Sequence, residues 1–203
     1  MARRWDDPAS PLHGAYHAMV NQDFSDARGE LEGIVAREPT ADALYLLSTV
    51  LAAAGDWDAS LARADEGIAL DATHTDCRFN RGAALDQLGR LEDAVSTYRA
   101  ALEVDPTHTN VALNLVLLLR RLTRHEDALQ VGATCLEHMP RARMLRYKQA
   151  ESLAILGRSA DARLELERVI RDDPNAIQAA RQNPFFSKFA DQREWKKTLM
   201  LEE

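Results

Sequence analysis

The stretch LGRLEDAVSTYRAALEVDP, residues 88–106, decides the fold. It has a helical rhythm carried by Leu91, Tyr98 and Leu102, and its punctuation is unusual: Gly89 near one end, Ala94 and Ala101 within, Pro106 at the close. The same punctuation returns every 34 residues. Gly55, Gly89 and Gly157 fall in register, with Thr123 in the intervening slot. Ala94, Ala128 and Ala162 keep the step, and so do Pro106, Pro140 and Pro174. One step earlier Ala72 takes the proline slot, and residues 22–39, QDFSDARGELEGIVAREP, fit with one residue deleted, which brings Ala27 and Pro39 into line. A fixed period of this length is the signature of a stacked-repeat architecture.

Each period reads as helix A, a tight turn and helix B. The glycine stands just past helix A, where a left-handed backbone costs least without a Cβ. Ala94 and Ala101 are small enough for helices to approach closely, and Leu85, Leu91, Tyr98 and Leu102 fill the space between. The DPTH segment ends helix B, because the residue before proline is disfavoured in the helical region.

This pattern resembles the tetratricopeptide repeat family. The resemblance covers five repeats, 8–40, 41–74, 75–108, 109–142 and 143–176, with residues 1–7 as an N-terminal tail and 177–203 as a C-terminal capping segment. Residues 75–108 match best; Ser60, Gly67, Val116 and Cys135 depart from the family's small positions. The implied fold is all-α: a right-handed superhelical solenoid of helix-turn-helix repeats, closed by a capping helix, with its concave face lined by A helices. Trp5 is expected to fold onto the first repeat. In the capping segment Pro184 predicts a broken helix followed by an amphipathic one over about 191–201, with Phe185, Phe186, Phe189, Trp195 and Leu199 covering the fifth repeat.

Composition agrees with that class. An apolar share of 46% supplies a core and 28% charged residues a wetted surface. The N-terminus has basic residues but no apolar run behind them, and no stretch of about 18 apolar residues could span a bilayer. Cys77 and Cys135 show neither metal-type nor redox-type spacing, so free thiols and a cytoplasmic setting are expected. The net charge of −7 hides an asymmetry: residues 1–108 carry nine basic and nineteen acidic side chains, residues 109–203 sixteen and thirteen. In an elongated molecule that difference is a dipole able to orient a charged partner.

Nothing in the chain points to catalysis, a cofactor or a metal. His13 and His17 share a helix face, but Gly14 stands where a zinc protease needs glutamate and no third ligand is evident. His74 and His108 recur with the repeat and read as solvated loop residues. Arg120, Arg121, Arg124, Arg141, Arg143, Arg146 and Lys148 make a basic patch, read first as a solvated face and next as a site for an acidic protein segment. Nucleic acid is disfavoured by a chain whose isoelectric point is near 5.4.

The resemblance also implies which residues of the A helices face the concave groove: Tyr16; Tyr45 and Thr49; Phe79, Asn80, Ala83 and Asp86; Asn110, Leu113, Asn114, Leu117, Arg120 and Arg121; Tyr147, Lys148 and Glu151. In related groove binders asparagines at the Asn80 and Asn114 position hold a peptide's backbone. The family's carboxylate clamp is not reproduced, since of Tyr45, Thr49, Asn80, Asn110 and Asn114 only Asn80 matches it. The expected function is a non-catalytic protein-interaction scaffold or chaperone-like adaptor, taking an apolar segment with acidic residues. The alternative is a structural protein that self-associates through its C-terminal aromatic segment.

Overall fold

Helices dominate because proline is kept out of helix interiors and the glycines that must turn the chain, Gly55, Gly89 and Gly157, stand between helices. The computed structural model describes residue 5 and residues 7–200, and among these it holds thirteen helices and no strand. They are α1 (His13–Val20), α2 (Phe24–Arg37), α3 (Ala41–Ala53), α4 (Trp57–Leu70), α5 (Thr75–Gln87), α6 (Leu91–Val104), α7 (Thr109–Arg121), α8 (His125–His138), α9 (Arg143–Ile155), α10 (Ser159–Asp172), α11 (Ala176–Gln182), α12 (Pro184–Ser187) and α13 (Arg193–Thr198). The expected tail, residues 1–7, lies outside the described residues except at 5 and 7, as does the end of the capping segment beyond residue 200.

The helix starts carry the period. A helices begin at Ala41, Thr75, Thr109 and Arg143, and B helices at Trp57, Leu91, His125 and Ser159, each 34 residues apart. The short α13 starts at Arg193, one further step on.

Every A helix ends in the same hydrogen-bonded turn. After α5, Gly89 N donates to Asp86 O at 3.1 Å and Arg90 N to Leu85 O at 2.9 Å, which satisfies two carbonyls the helix leaves open. The residue between must be left-handed, and Gly55, Gly89 and Gly157 have φ of 79°, 76° and 75°. Gln22 and Thr123 occupy the same slot with φ of 64° and 58°, keeping the turn without glycine's licence.

Helix starts are capped in two ways. Thr40, His74 and His108 accept from the third backbone N–H of α3, α5 and α7. The reading of His74 and His108 as solvated loop residues is therefore corrected. His74 is 8% exposed; its Nδ1 accepts from Cys77 N at 3.1 Å, so the proton sits on Nε2, which donates to Asp42 Oδ1 at 2.9 Å. Three of the B helices use charge: Arg90, Arg124 and Arg158 precede α6, α8 and α10 and pair with Asp93, Asp127 and Asp161 in the first turn, where carboxylates complement the helix dipole, while Asp56 caps α4 by accepting from Ala59 N at 3.2 Å.

The chain forms two compact units, residues 1–105 and 106–203, and the charge asymmetry divides along the same line. Within each unit an A helix packs on its own B helix, the B helix packs on the next A helix, and α3 and α7 also pack on the next A helices, α5 and α9. Ala27, Ala64, Ala94, Ala101, Ala128 and Ala162 have no exposed surface, as the close approach requires. Gly82 seats Tyr98: a Cβ there would lie 2.4 Å from the ring. Ser60 fits its small position through a reciprocal pair, in which Ser60 Oγ donates to Ser48 O and Ser48 Oγ to Ser60 O, both at 2.9 Å.

The first unit gathers Trp5, Leu12, Tyr16, Leu31, Leu46, Leu47 and Val50 into one core. In the second, Phe186, Trp195 and Leu199 are buried with Leu129, Leu153 and Leu166. Phe186 stacks on Trp195 at 5.6 Å, and Trp195 Nε1 donates to Ser159 Oγ at 2.8 Å, so the indole is both packed and satisfied. Pro184 begins α12 rather than breaking a helix at random. Asn183 ends α11 and its side chain accepts from Phe185 N at 2.9 Å, with proline at the first helical position, where its missing N–H costs nothing.

Candidate functional site

The side chains assigned to a groove have different fates in the two units. In the first, Tyr16 is only 8% exposed, because Trp5 lies over it with ring centroids 5.8 Å apart; Tyr45 meets the same indole at 5.6 Å. Tyr16 is thus a core residue. Asn80, on α5, is 6% exposed, and its two amide protons go to Tyr45 O at 3.1 Å and Thr49 Oγ1 at 2.8 Å on α3. The Thr49 hydroxyl in turn donates to Tyr45 O at 2.9 Å. Asn80 stitches neighbouring A helices together, so both of its donors are already engaged, contrary to a role in holding a peptide backbone. Phe79 is half-buried, 6.4 Å from the Tyr98 ring.

In the second unit the assigned residues meet a charged cluster. On α7, Asn110, Leu117 and Arg121 are exposed and Leu113 and Asn114 half-buried, at spacings that share a helix face. Glu151 on α9 is 4% exposed and stands at the centre. Its carboxylate pairs with Arg120 and with Lys148 Nζ at 3.2 Å, and accepts from Asn183 Nδ2 at 2.8 Å. Burial of a carboxylate demands such company, since an unpaired charge in this position would be expelled or neutralised. Asn183 Nδ2 also donates to Tyr147 Oη at 3.1 Å, and the Tyr147 ring meets Phe186 edge-on at 5.7 Å. The Arg120 guanidinium lies 5.5 Å from the Phe185 ring centroid. Burial raises the Tyr147 phenol above its ordinary value; the Asn183 hydrogen bond opposes this and the Glu151 charge adds to it.

Two clefts flank the cluster and share Lys148. One, of about 650 Å³, is lined by Met144, Tyr147, Val169, Ala176 and Ala179, with Arg143 and Asp173 paired at its edge. The other, of about 500 Å³, is lined by Leu117, Arg120, Arg121, His125, Glu151, Ile155 and Phe185. A cleft of about 510 Å³ over Gln149 and Leu164 is bordered by Arg158, Asp161, Glu165 and Arg168, which pair among themselves or with Arg146.

The basic patch is largely neutralised from within. Arg120, Arg124, Arg143, Arg146 and Lys148 all pair with carboxylates, which leaves no broad unneutralised stripe for a phosphate backbone among the described residues. Sequence reasoning missed the engagement of Tyr147 and Glu151 by Asn183. The Asn-Pro pair was the available signal, because it marks a helix start as readily as a break. His13 and His17 lie 4.3 Å apart ring to ring, and among the described residues no group of three or more His, Cys, Asp or Glu is gathered to hold a metal. No helix among those residues is long and apolar enough to cross a membrane.

Known proteins place this geometry. YrrB, whose structure is described as that of a TPR protein with an unusual peptide-binding site, shares 15% identity with a TM-score of 0.65, over 83% of this chain and 88% of that one. The pilF protein of Pseudomonas aeruginosa shares 15% identity with a TM-score of 0.69, over 95% and 96%. A thermophilic TPR protein of Thermus thermophilus, TTC0263, shares 17% with a TM-score of 0.63, over 94% and 97%. Identities this low speak for the fold alone. No curated protein matches the sequence. One tetratricopeptide repeat pattern matches residues 76–108, and a second of the same description matches residues 14–74 and 113–177. With the repeated helix pairs, these matches over most of its length show that the chain belongs to the tetratricopeptide repeat family.

Proposed function

We propose that the second unit binds an extended protein segment along α7 and α9, as a non-catalytic interaction scaffold. The family's fold is that of a protein-interaction scaffold. The observation that carries the finer reading is the 650 Å³ cleft: Tyr147, Val169, Ala176 and Ala179 line it, and Met144 stands 56% exposed at its edge. Exposed apolar surface gathered in a concavity marks a binding site where scattered apolar residues would not. An apolar residue of the partner fits that cleft, and its acidic residues fit the side where Lys148, Arg120 and Arg121 stand. YrrB's peptide-binding site is consistent with this use of the fold.

The self-association alternative would use the C-terminal aromatic rings on a second copy, yet Phe186 and Trp195 are 0% and 1% exposed inside their own chain. The test is site-directed photocrosslinking in cells, with a benzophenone side chain at Met144 or, on the exposed flank of α10, at Leu164. Discrete adducts to another protein from position 144 and none from position 164 are expected. Adducts only to the chain itself, or equal yields at both positions, reject the proposal.

A further inference from the structure

The 500 Å³ cleft has a chemistry of its own. Its cations outnumber its anions: Arg120, Arg121 and Lys148 line it against Glu151 alone. Glu151 sits at 4% exposure and is already shared among Arg120, Lys148 and Asn183. Two further nitrogens of the lining are buried without a hydrogen-bond partner, Arg120 Nε and His125 Nδ1. A guanidinium N–H has no acceptor function and cannot be deprotonated, so Arg120 Nε–H is a donor awaiting an acceptor. A buried donor left so carries a desolvation cost that a bound acceptor removes. The rest of the lining is apolar: Leu117, 44% exposed, Ile155 and the Phe185 ring.

We infer that this cleft is the subsite for one carboxylate side chain, an aspartate or glutamate inside the bound segment, with Leu117, Ile155 and Phe185 receiving its methylenes and its apolar neighbour. This deepens the proposed groove reading and rests on it. Three cations against one carboxylate attract an anion. The carboxylate accepts from Arg120 Nε and lies near Arg121 and Lys148, where a charge-assisted hydrogen bond is stronger than a neutral one. The subsite differs from a terminal-carboxylate clamp, because its apolar walls border the charge with surface for a side-chain stem.

The experiment is selection of random twelve-residue peptides displayed through their C-termini, so that no peptide presents a terminal carboxylate, on the full chain. Enriched peptides are expected to share an aspartate or glutamate at a fixed offset from an apolar residue. Synthetic amidated copies are then titrated against two variants. Arg121→Gln with Lys148→Gln removes two cations, and Leu117→Glu places a negative charge at an exposed position of the lining that does not threaten the fold. Each is expected to weaken binding about tenfold or more, the size of a lost charge-assisted hydrogen bond, with the melting temperature of Leu117→Glu unchanged. Enriched peptides without an acidic excess overturn the carboxylate subsite and leave the groove reading standing. Acidic peptides that bind Leu117→Glu as tightly as wild type also overturn the subsite. Failure to enrich any peptide overturns both.

Discussion

Thr123 tests the account of the repeat most directly, because it does glycine's work with a β-branched side chain. Its φ is 58°, and its N–H donates to Arg120 O at 3.0 Å while Arg124 N donates to Leu119 O at 2.8 Å, the pair of bonds that ends α7. Holding a non-glycine residue left-handed costs roughly 1–2 kcal/mol. Replacing it by glycine also loosens the unfolded chain, a loss of about 0.4–1 kcal/mol. Thr123 is exposed, and among the described residues no hydrogen bond of its hydroxyl offsets that balance. Thr123→Gly should therefore stabilise by about 0.5–1 kcal/mol, or a rise in Tm of roughly 1–4 °C for a chain of this size. Gly89→Thr should change Tm by a similar amount in the opposite direction. Thr123→Ala keeps a Cβ at the strained position and should recover little of the gain. Since stacked repeats can open locally, hydrogen exchange at the Arg124 amide is read beside the melting curve, and its protection should rise in Thr123→Gly. A fall in Tm for Thr123→Gly, or an equal gain from Thr123→Ala, would refute the assignment of the strain to backbone handedness.

Two other outcomes follow from the polar contacts. His74→Ala removes the cap of α5 and should cost about 1 kcal/mol in urea unfolding, whereas His74→Asn restores a capping oxygen and should recover most of it. Asn80→Ala removes two hydrogen bonds between α5 and α3 while Tyr45 O keeps the Thr49 hydroxyl as donor, and should lower stability by about 0.5–1.5 kcal/mol, a loss seen with no partner present. An Asn80→Ala protein as stable as wild type would show instead that this amide is free for a ligand.

The parts of the fold readable from sequence are those whose physics is local. A left-handed turn wants glycine at one place, helix contact wants a small residue at another, and both demands recur with the helix pair, so Gly89, Ala94 and Pro106 mark the period wherever it repeats. The substitutions at those slots were readable as departures but not their resolutions. Ser60 is suitable because Ser48 faces it from α3. The candidate site was legible only as a face: helical spacing puts Leu113, Leu117 and Arg121 together on α7.

What the sequence determined by itself is the repeat, its helix pairs and turns, and the all-α class, because each rests on contacts within one 34-residue unit. What only the tertiary structure decided is which polar groups meet. His74 caps α5 while donating to Asp42, Asn80 donates to a carbonyl 35 residues back, and Asn183 reaches Glu151 from 32 residues on. A hydrogen bond exists only within about 3 Å and over a narrow range of angles, so no spacing along a chain can pick its partner. The same residue type at the same repeat position can thus be buried, as Asn80 is, or half-buried, as Asn114 is on α7, and the packing of the neighbouring helices makes the choice.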